Sequence, residues 1–196
     1  MNIYFHPKKN IFVHIDKQNG PYFWGKNDDF LPVSEEDFSL SFPFKMRIDK
    51  MRLGPLIGIL ISKDGRNNVI GDSDLYIGIQ KELQKMGGLS FLYSLEDLKE
   101  GYITGICYCI DEDRWIQVSF PYPQLVYNRI SSRKQEEEDA FLNHVAWMRQ
   151  HDIVLFNPGF IDKYLMHEIF SKNSHLKPLL PETMLIEKEP NAFQQF

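Results

Sequence analysis

Short apolar runs broken by polar turns fill the first quarter of the chain. Asn2-Ile3-Tyr4-Phe5 and Ile11-Phe12-Val13-His14-Ile15 flank the polar turn Pro7-Lys8-Lys9-Asn10, which predicts a β-hairpin over residues 2–16. Residues 17–55 carry turn formers at Asn19-Gly20-Pro21, Asn27-Asp28-Asp29 and Leu31-Pro32, with apolar stretches such as 38–44 and no helical period. More short strands and loops are expected there. At Leu53-Gly54-Pro55 the pattern changes. Apolar runs of strand length, at 56–61, 89–93, 125–127 and 153–156, then alternate with segments of helical length. Such alternation predicts an α/β fold with a parallel sheet.

The expected helices span 73–86, 134–150 and 160–171. Leu75, Ile79, Leu83 and Met86 fall on one face of the first, which stops at Gly87-Gly88. Ala140, Phe141, Val145 and Met148 mark the inward face of the second. Residues 102–110 and 115–120, around Asp111-Glu112-Asp113-Arg114, read as a hairpin inserted into the α/β pattern. Pro178 and Pro181 bracket an extended exit over 179–186. The expected organisation is a small β-rich segment over 1–52, an α/β domain over 53–178 and an exit over 179–196.

Composition narrows the function. Hydrophobic residues at 43% and charged residues at 25% are ordinary for a globular chain and argue against disorder. A formal charge of −5, with only the short basic run Ser131-Ser132-Arg133-Lys134 before Glu136-Glu137-Glu138-Asp139, offers no face for nucleic acid. No apolar run approaches the ~20 residues of a membrane span. Cys107 and Cys109 are expected to be reduced thiols in or near the core, on opposite faces of a strand, which fits a reducing cytoplasm.

Ligands of an open parallel sheet bind outside the carboxyl ends of its strands. Three polar clusters fall there: Ser62-Lys63-Asp64-Gly65-Arg66, then Asn128-Arg129 with Ser131-Ser132-Arg133, then Asn157-Pro158-Gly159. Arginine forks, hydroxyls and helix N-terminal amides suit a carboxylate or phosphate. Turns and caps also demand such residues, so position alone favours a purely structural role. The substrate-binding candidates are Ser62, Asn128, Arg129, Arg133 and Asn157. There is no G-x-x-x-x-G-K-[ST] or G-x-G-x-x-G phosphate loop, no G-x-S-x-G elbow and no H-E-x-x-H helix. His144 and His151 are seven apart, too far to share one metal, and are expected at a helix surface or cap. Glu136 to Asp139 is expected to be a solvated helix start. No catalytic, cofactor or metal-ligating residue is assigned.

Four motifs, in order, resemble the YheC/YheD family. They are Arg52-Leu53-Gly54-Pro55-Leu56-Ile57-Gly58-Ile59-Leu60; Val126-Tyr127-Asn128-Arg129-Ile130-Ser131-Ser132-Arg133; Phe156-Asn157 with Asp162-Lys163-Tyr164; and Leu180-Pro181-Glu182-Thr183. The resemblance covers about residues 50–186. It implies a Rossmann-like pre-ATP-grasp sheet with helices on both faces. It also implies an ATP-grasp domain to follow, supplying the lysines for nucleotide and the acids for Mg²⁺. The chain reaches Phe196 about where that domain would begin. The expectation is therefore an acceptor-binding part of an ATP-dependent carboxylate ligase-like protein, with no cofactor of its own and no ATP chemistry by itself. Its expected partners are that ATP-grasp domain and a small carboxylate or peptide, in the cytoplasm. The family is described as endospore coat-associated, which leaves an alternative: a non-catalytic spore-coat interaction module, docking through the aromatic-rich front between Tyr4 and Phe44.

Overall fold

The computed structural model describes residues 1–38 and 41–183. The chain divides into two compact units, Met1–Pro158 and Gly159–Phe196.

The first unit begins with the expected hairpin. β1 (Asn2–His6) pairs antiparallel with β2 (Ile11–Val13), and β1 also pairs with β3 (Phe44–Lys45). Four two-residue strands between Phe23 and Leu53 form a second small sheet. The main sheet follows from β4 (Leu56–Leu60), β5 (Leu89–Tyr93), β6 (Leu98–Lys99), β7 (Tyr102–Cys109), β8 (Arg114–Phe120), β9 (Leu125–Asn128) and β10 (Val154–Phe156). The neighbours β5, β4, β9 and β10 run parallel, while β7 is antiparallel to β5, β6 and β8. The sheet is thus mixed: a parallel half of four strands with the inserted hairpin against one side.

Strand alternation sorts the side chains onto two faces. Ile59, Ile61 and Leu92 pack with Tyr76 of α1 (Ser73–Lys85). Leu60, Tyr93 and Val126 share the larger core with Phe141 and Met148 of α3 (Asp139–Gln150). The two helices therefore cover opposite faces. Gly58, in the middle of β4, allows the Tyr93 ring to cross it: a Cβ there would stand 2.8 Å from the ring.

The larger core does not stop at residue 53. Ile3, Phe12, Trp24 and Phe44 belong to the same buried cluster as Phe91, Phe120 and Tyr122. Phe91 stacks on Phe120 with centroids 4.0 Å apart, and Phe12 and Trp24 close on Phe120 at 5.9 and 6.2 Å. Of the front aromatics, Tyr4, Phe12, Tyr22, Trp24, Phe38 and Phe44 are interior, whereas Phe30 and Phe42 are about half exposed. An aromatic contact surface at the front would therefore rest on Phe30 and Phe42 and not on the rings of the core.

Several local expectations need correction. The buried residues of α1 are Tyr76 and Gln80, whereas Leu75 and Met86 are 38% and 74% exposed. The cause is polar. Beyond Ile106, the register of β7 with β5 ends, so Tyr108 needs other partners for its backbone. Gln80 accepts from its N–H at 2.8 Å and Gln84 donates to its carbonyl at 3.1 Å, which turns the glutamine side of α1 inward. The helix expected over 134–150 is two: α2 (Arg133–Glu136) and α3, parted by Glu137 and an extended Glu138, with Ala140 exposed. Cys107 and Cys109 both lie in the larger core, because residues two apart on β7 share a face. His144 is not at a surface: it is 4% exposed, with Nε2 2.9 Å from the Tyr93 hydroxyl. His151 is the expected cap, following α3 and stacked on Tyr122.

In the second unit, α4 (Lys163–Ser171) starts at Asp162, whose carboxylate accepts from the Leu165 N–H at 2.9 Å. A short 3₁₀ turn, Lys177–Leu179, precedes residues 180–183. The remainder of the expected exit, from Met184 onward, lies outside the described residues. No described helix is long and apolar enough to cross a membrane.

Candidate functional site

The loops after β4, β9 and β10 leave the same edge of the sheet, because these strands are parallel and adjacent. The Arg129 N–H donates to the Leu60 carbonyl at 2.8 Å, which extends the β9–β4 pairing to the strand ends. Asn157 donates from Nδ2 to the Asn128 carbonyl at 3.0 Å, holding the end of β10 against the end of β9. Its φ of 56° is left-handed, a conformation Asn tolerates better than most residues. Ser62 is buried, donates to Gln135 Oε1 at 2.6 Å and accepts from the Ser131 N–H at 3.3 Å. Asn128 is buried too. Its Oδ1 accepts from the Ile130 N–H at 3.0 Å and its Nδ2 donates to Glu136 at 2.5 Å. Ser62, Asn128, Arg129 and Asn157 therefore converge on one rim.

Arg133 does not join them. It is exposed and pairs with Glu137 at 3.4 Å, an ion pair in solvent that contributes little. The loop after β4 also departs from expectation. Asp64 takes up the N–H groups of Arg66 and Asn68 and the Asn68 amide, and the hydrogen bonds from Asn68 hold its carboxyl below the ordinary value. Lys63 is tied to Asp97 at 2.6 Å. This loop is a closed turn, and only Ser62 reaches the rim.

Two rim residues escaped the sequence reading. Gln135 and Glu136 sit on α2, which Ser132 caps by accepting from the Gln135 N–H at 3.4 Å. The Glu136 carboxylate turns to Asn128 and is not simply part of a solvated helix start. The available signal was Ser132-Arg133-Lys134-Gln135, a capping pattern that folds a short turn back over the strand ends.

Arg129 is the cation of the rim. Its guanidinium carbon lies 5.7 Å from the centre of the Tyr127 ring, on the face that also carries Ile59. Its Nε is buried without a hydrogen-bond partner among the described residues. Tyr76 lies beside it: burial raises the phenol pKa, and the Arg129 charge and hydrogen bond partly offset that rise. Gly71, at φ 135°, leaves room for the Tyr76 hydroxyl, which a side chain at that position would strike. Most other polar groups of the rim are spent on one another, so the guanidinium is the group available to an incoming anion. A carboxylate matches it in geometry and charge. Among the described residues no three His, Cys, Asp or Glu side chains gather as candidate metal ligands.

No family model and no solved structure matches the chain. Over 167 residues it is 28% identical to the endospore coat-associated protein YheD of Bacillus subtilis (strain 168), a match that takes in 78% of this chain. The chain spans 36% of that relative's length. The four ordered motifs and this extended match agree: over most of its described length the chain is similar to a YheC/YheD-type protein.

Proposed function

We propose that the rim formed by Ser62, Asn128, Arg129 and Asn157 holds the carboxylate of an acceptor substrate, a small acid or a peptide. The observation that carries this reading is Arg129: a cation at the carboxyl ends of parallel strands, with a buried Nε that no described residue satisfies. In this reading the parallel half-sheet, with α1 and α3 on its two faces, is a Rossmann-like pre-ATP-grasp sheet. An ATP-grasp domain belonging to the full-length protein would sit beside the rim and supply nucleotide and Mg²⁺ for carboxylate activation. The residues described here bind and orient the acceptor; Asn157, Ser62 and Gln135 hold the strand-end loops in place around Arg129.

The relative's description as coat-associated supports a place at the spore for the family, and with it a second reading as a coat interaction module. The interior packing of six front aromatics weakens that second reading, which is left with the half-exposed Phe30 and Phe42.

Heat-stability shifts across a panel of small carboxylates and amino acids test the proposal, since a ligand of the folded state raises the melting temperature. Carboxylates are expected to raise it in the native chain. Arg129→Ala should weaken binding by about tenfold to a hundredfold, the worth of ~1.5–3 kcal/mol for hydrogen bonds to a charged group. An unshifted melting temperature across the whole panel, or equal shifts with Arg129→Ala, would contradict the assignment.

A further inference from the structure

A groove of about 720 Å³ runs along the sheet beside α1. Its floor includes Ile59, Tyr127 and Phe156, and its wall includes Leu75, Ile79 and Leu83. The volume lies within the ~300–1,000 Å³ usual for small-molecule sites. The apolar stripe of α1 faces this groove, and Phe156 on its floor is 59% exposed. Tyr127 and Arg129 are two apart on one strand end and so share a face, as the 5.7 Å approach of guanidinium to ring shows. The groove thus runs toward the carboxyl ends of the strands, where the cation stands.

We infer that the acceptor is a monocarboxylate with an apolar body, its acid group on Arg129 and its body along the groove. This deepens the strand-end reading and rests on it. Charge selects the occupant. One cation with a buried, unpartnered Nε, Arg129, stands against Tyr127 of the groove floor without itself lining the groove, while Asp74 and Glu82 border the groove's length. Glu82 is paired with Lys85 at 2.6 Å, and no lysine or arginine lines the groove itself. A multiply charged phosphate would meet Asp74 with only one cation to offset it. A single carboxylate is matched by Arg129 alone, and the rest of the lining asks for aliphatic or aromatic surface.

Calorimetric titration of the whole chain provides the test. The probes are N-acetyl-leucyl-phenylalanine, its C-terminal amide, decanoate and lactate. The apolar acids are expected to bind at least tenfold more tightly than lactate, and N-acetyl-leucyl-phenylalanine at least tenfold more tightly than its amide. Whichever apolar acid binds more tightly identifies the body as peptide or acyl chain. Arg129→Met should erase the preference for acid over amide. Gly78→Leu should abolish binding of the apolar acids: Gly78 lines the groove, and a Cβ there meets nothing within 4 Å, so the variant folds while filling the space. If lactate binds as tightly as the apolar acids, or Gly78→Leu leaves their binding unchanged, the groove assignment is overturned while the strand-end site stands. If no acid binds, both fall. A dimer that Gly78→Leu dissociates would give the groove to a second copy of the chain and overturn the inference.

Discussion

Phe91→Ala lowers the stability of the first unit by about 3–5 kcal/mol, the usual cost of emptying a core aromatic site. Phe91 is fully buried and stacks on Phe120 at 4.0 Å. Phe120 in turn touches Phe12 and Trp24, so the lost ring supports both the main sheet and the strands of the first fifty residues. The site cannot collapse cheaply, because Gly105 already brings its backbone against the Phe91 ring. For a domain of this size the melting temperature should fall by roughly 6–20 °C, at ~2–4 °C per kcal/mol. Far-ultraviolet circular dichroism and the fluorescence of Trp24, isolated by replacing Trp115 and Trp147, should report one transition at one temperature. A loss under 1 kcal/mol, or a Trp24 signal that melts separately, would contradict a shared core.

The second large effect is acid destabilisation through His144. Burial holds this imidazole neutral and lowers its pKa from 6.5 to about 4. Above about pH 6.5 neither the folded nor the unfolded chain is protonated there, and the residue adds no pH dependence. As pH falls from about 6.5 to 4 the unfolded chain takes up a proton that the folded chain resists, so stability falls across that window. Below about pH 4 both forms are protonated and the loss is complete. It amounts to about 3 kcal/mol at ~1.4 kcal/mol per pH unit. Carboxylates titrate at the lower end of the same window, so the comparison is with His144→Gln, which retains a hydrogen-bonding group for the Tyr93 hydroxyl and does not titrate. Urea unfolding at pH 7, 5.5 and 4 should show a steeper loss for the native chain than for the variant. Parallel slopes would place His144 in water.

The sequence made the parallel half-sheet legible because an apolar run followed by Asn, Ser or Arg carries its own topology. Once β4, β9 and β10 are parallel neighbours, Ser62, Asn128 and Asn157 must emerge at one rim. What stayed hidden depended on partners distant in sequence. Periodicity located α1 but not its buried face, because the backbone needs of Tyr108 decide which side turns inward. The burial of His144 depends on Tyr93, fifty-one positions away, so no local pattern betrays it. Glu136 stands in a run of acids that ordinarily marks a solvated helix start, and only Asn128 draws it inward. The aromatic richness of the front segment was visible in composition. Whether those rings faced solvent or core depended on Phe120, on a strand far downstream.

Backbone amide shifts, followed by NMR while a carboxylic acid is titrated into the isotopically labelled chain, test the central claim most directly. The amides of Ser62, Arg129, Ser131 and Asn157 should move together with one dissociation constant, and Arg129→Ala should suppress the whole set. Movement confined to other surfaces, or a set that survives Arg129→Ala, would mean that the strand-end rim is structural and that acids bind elsewhere.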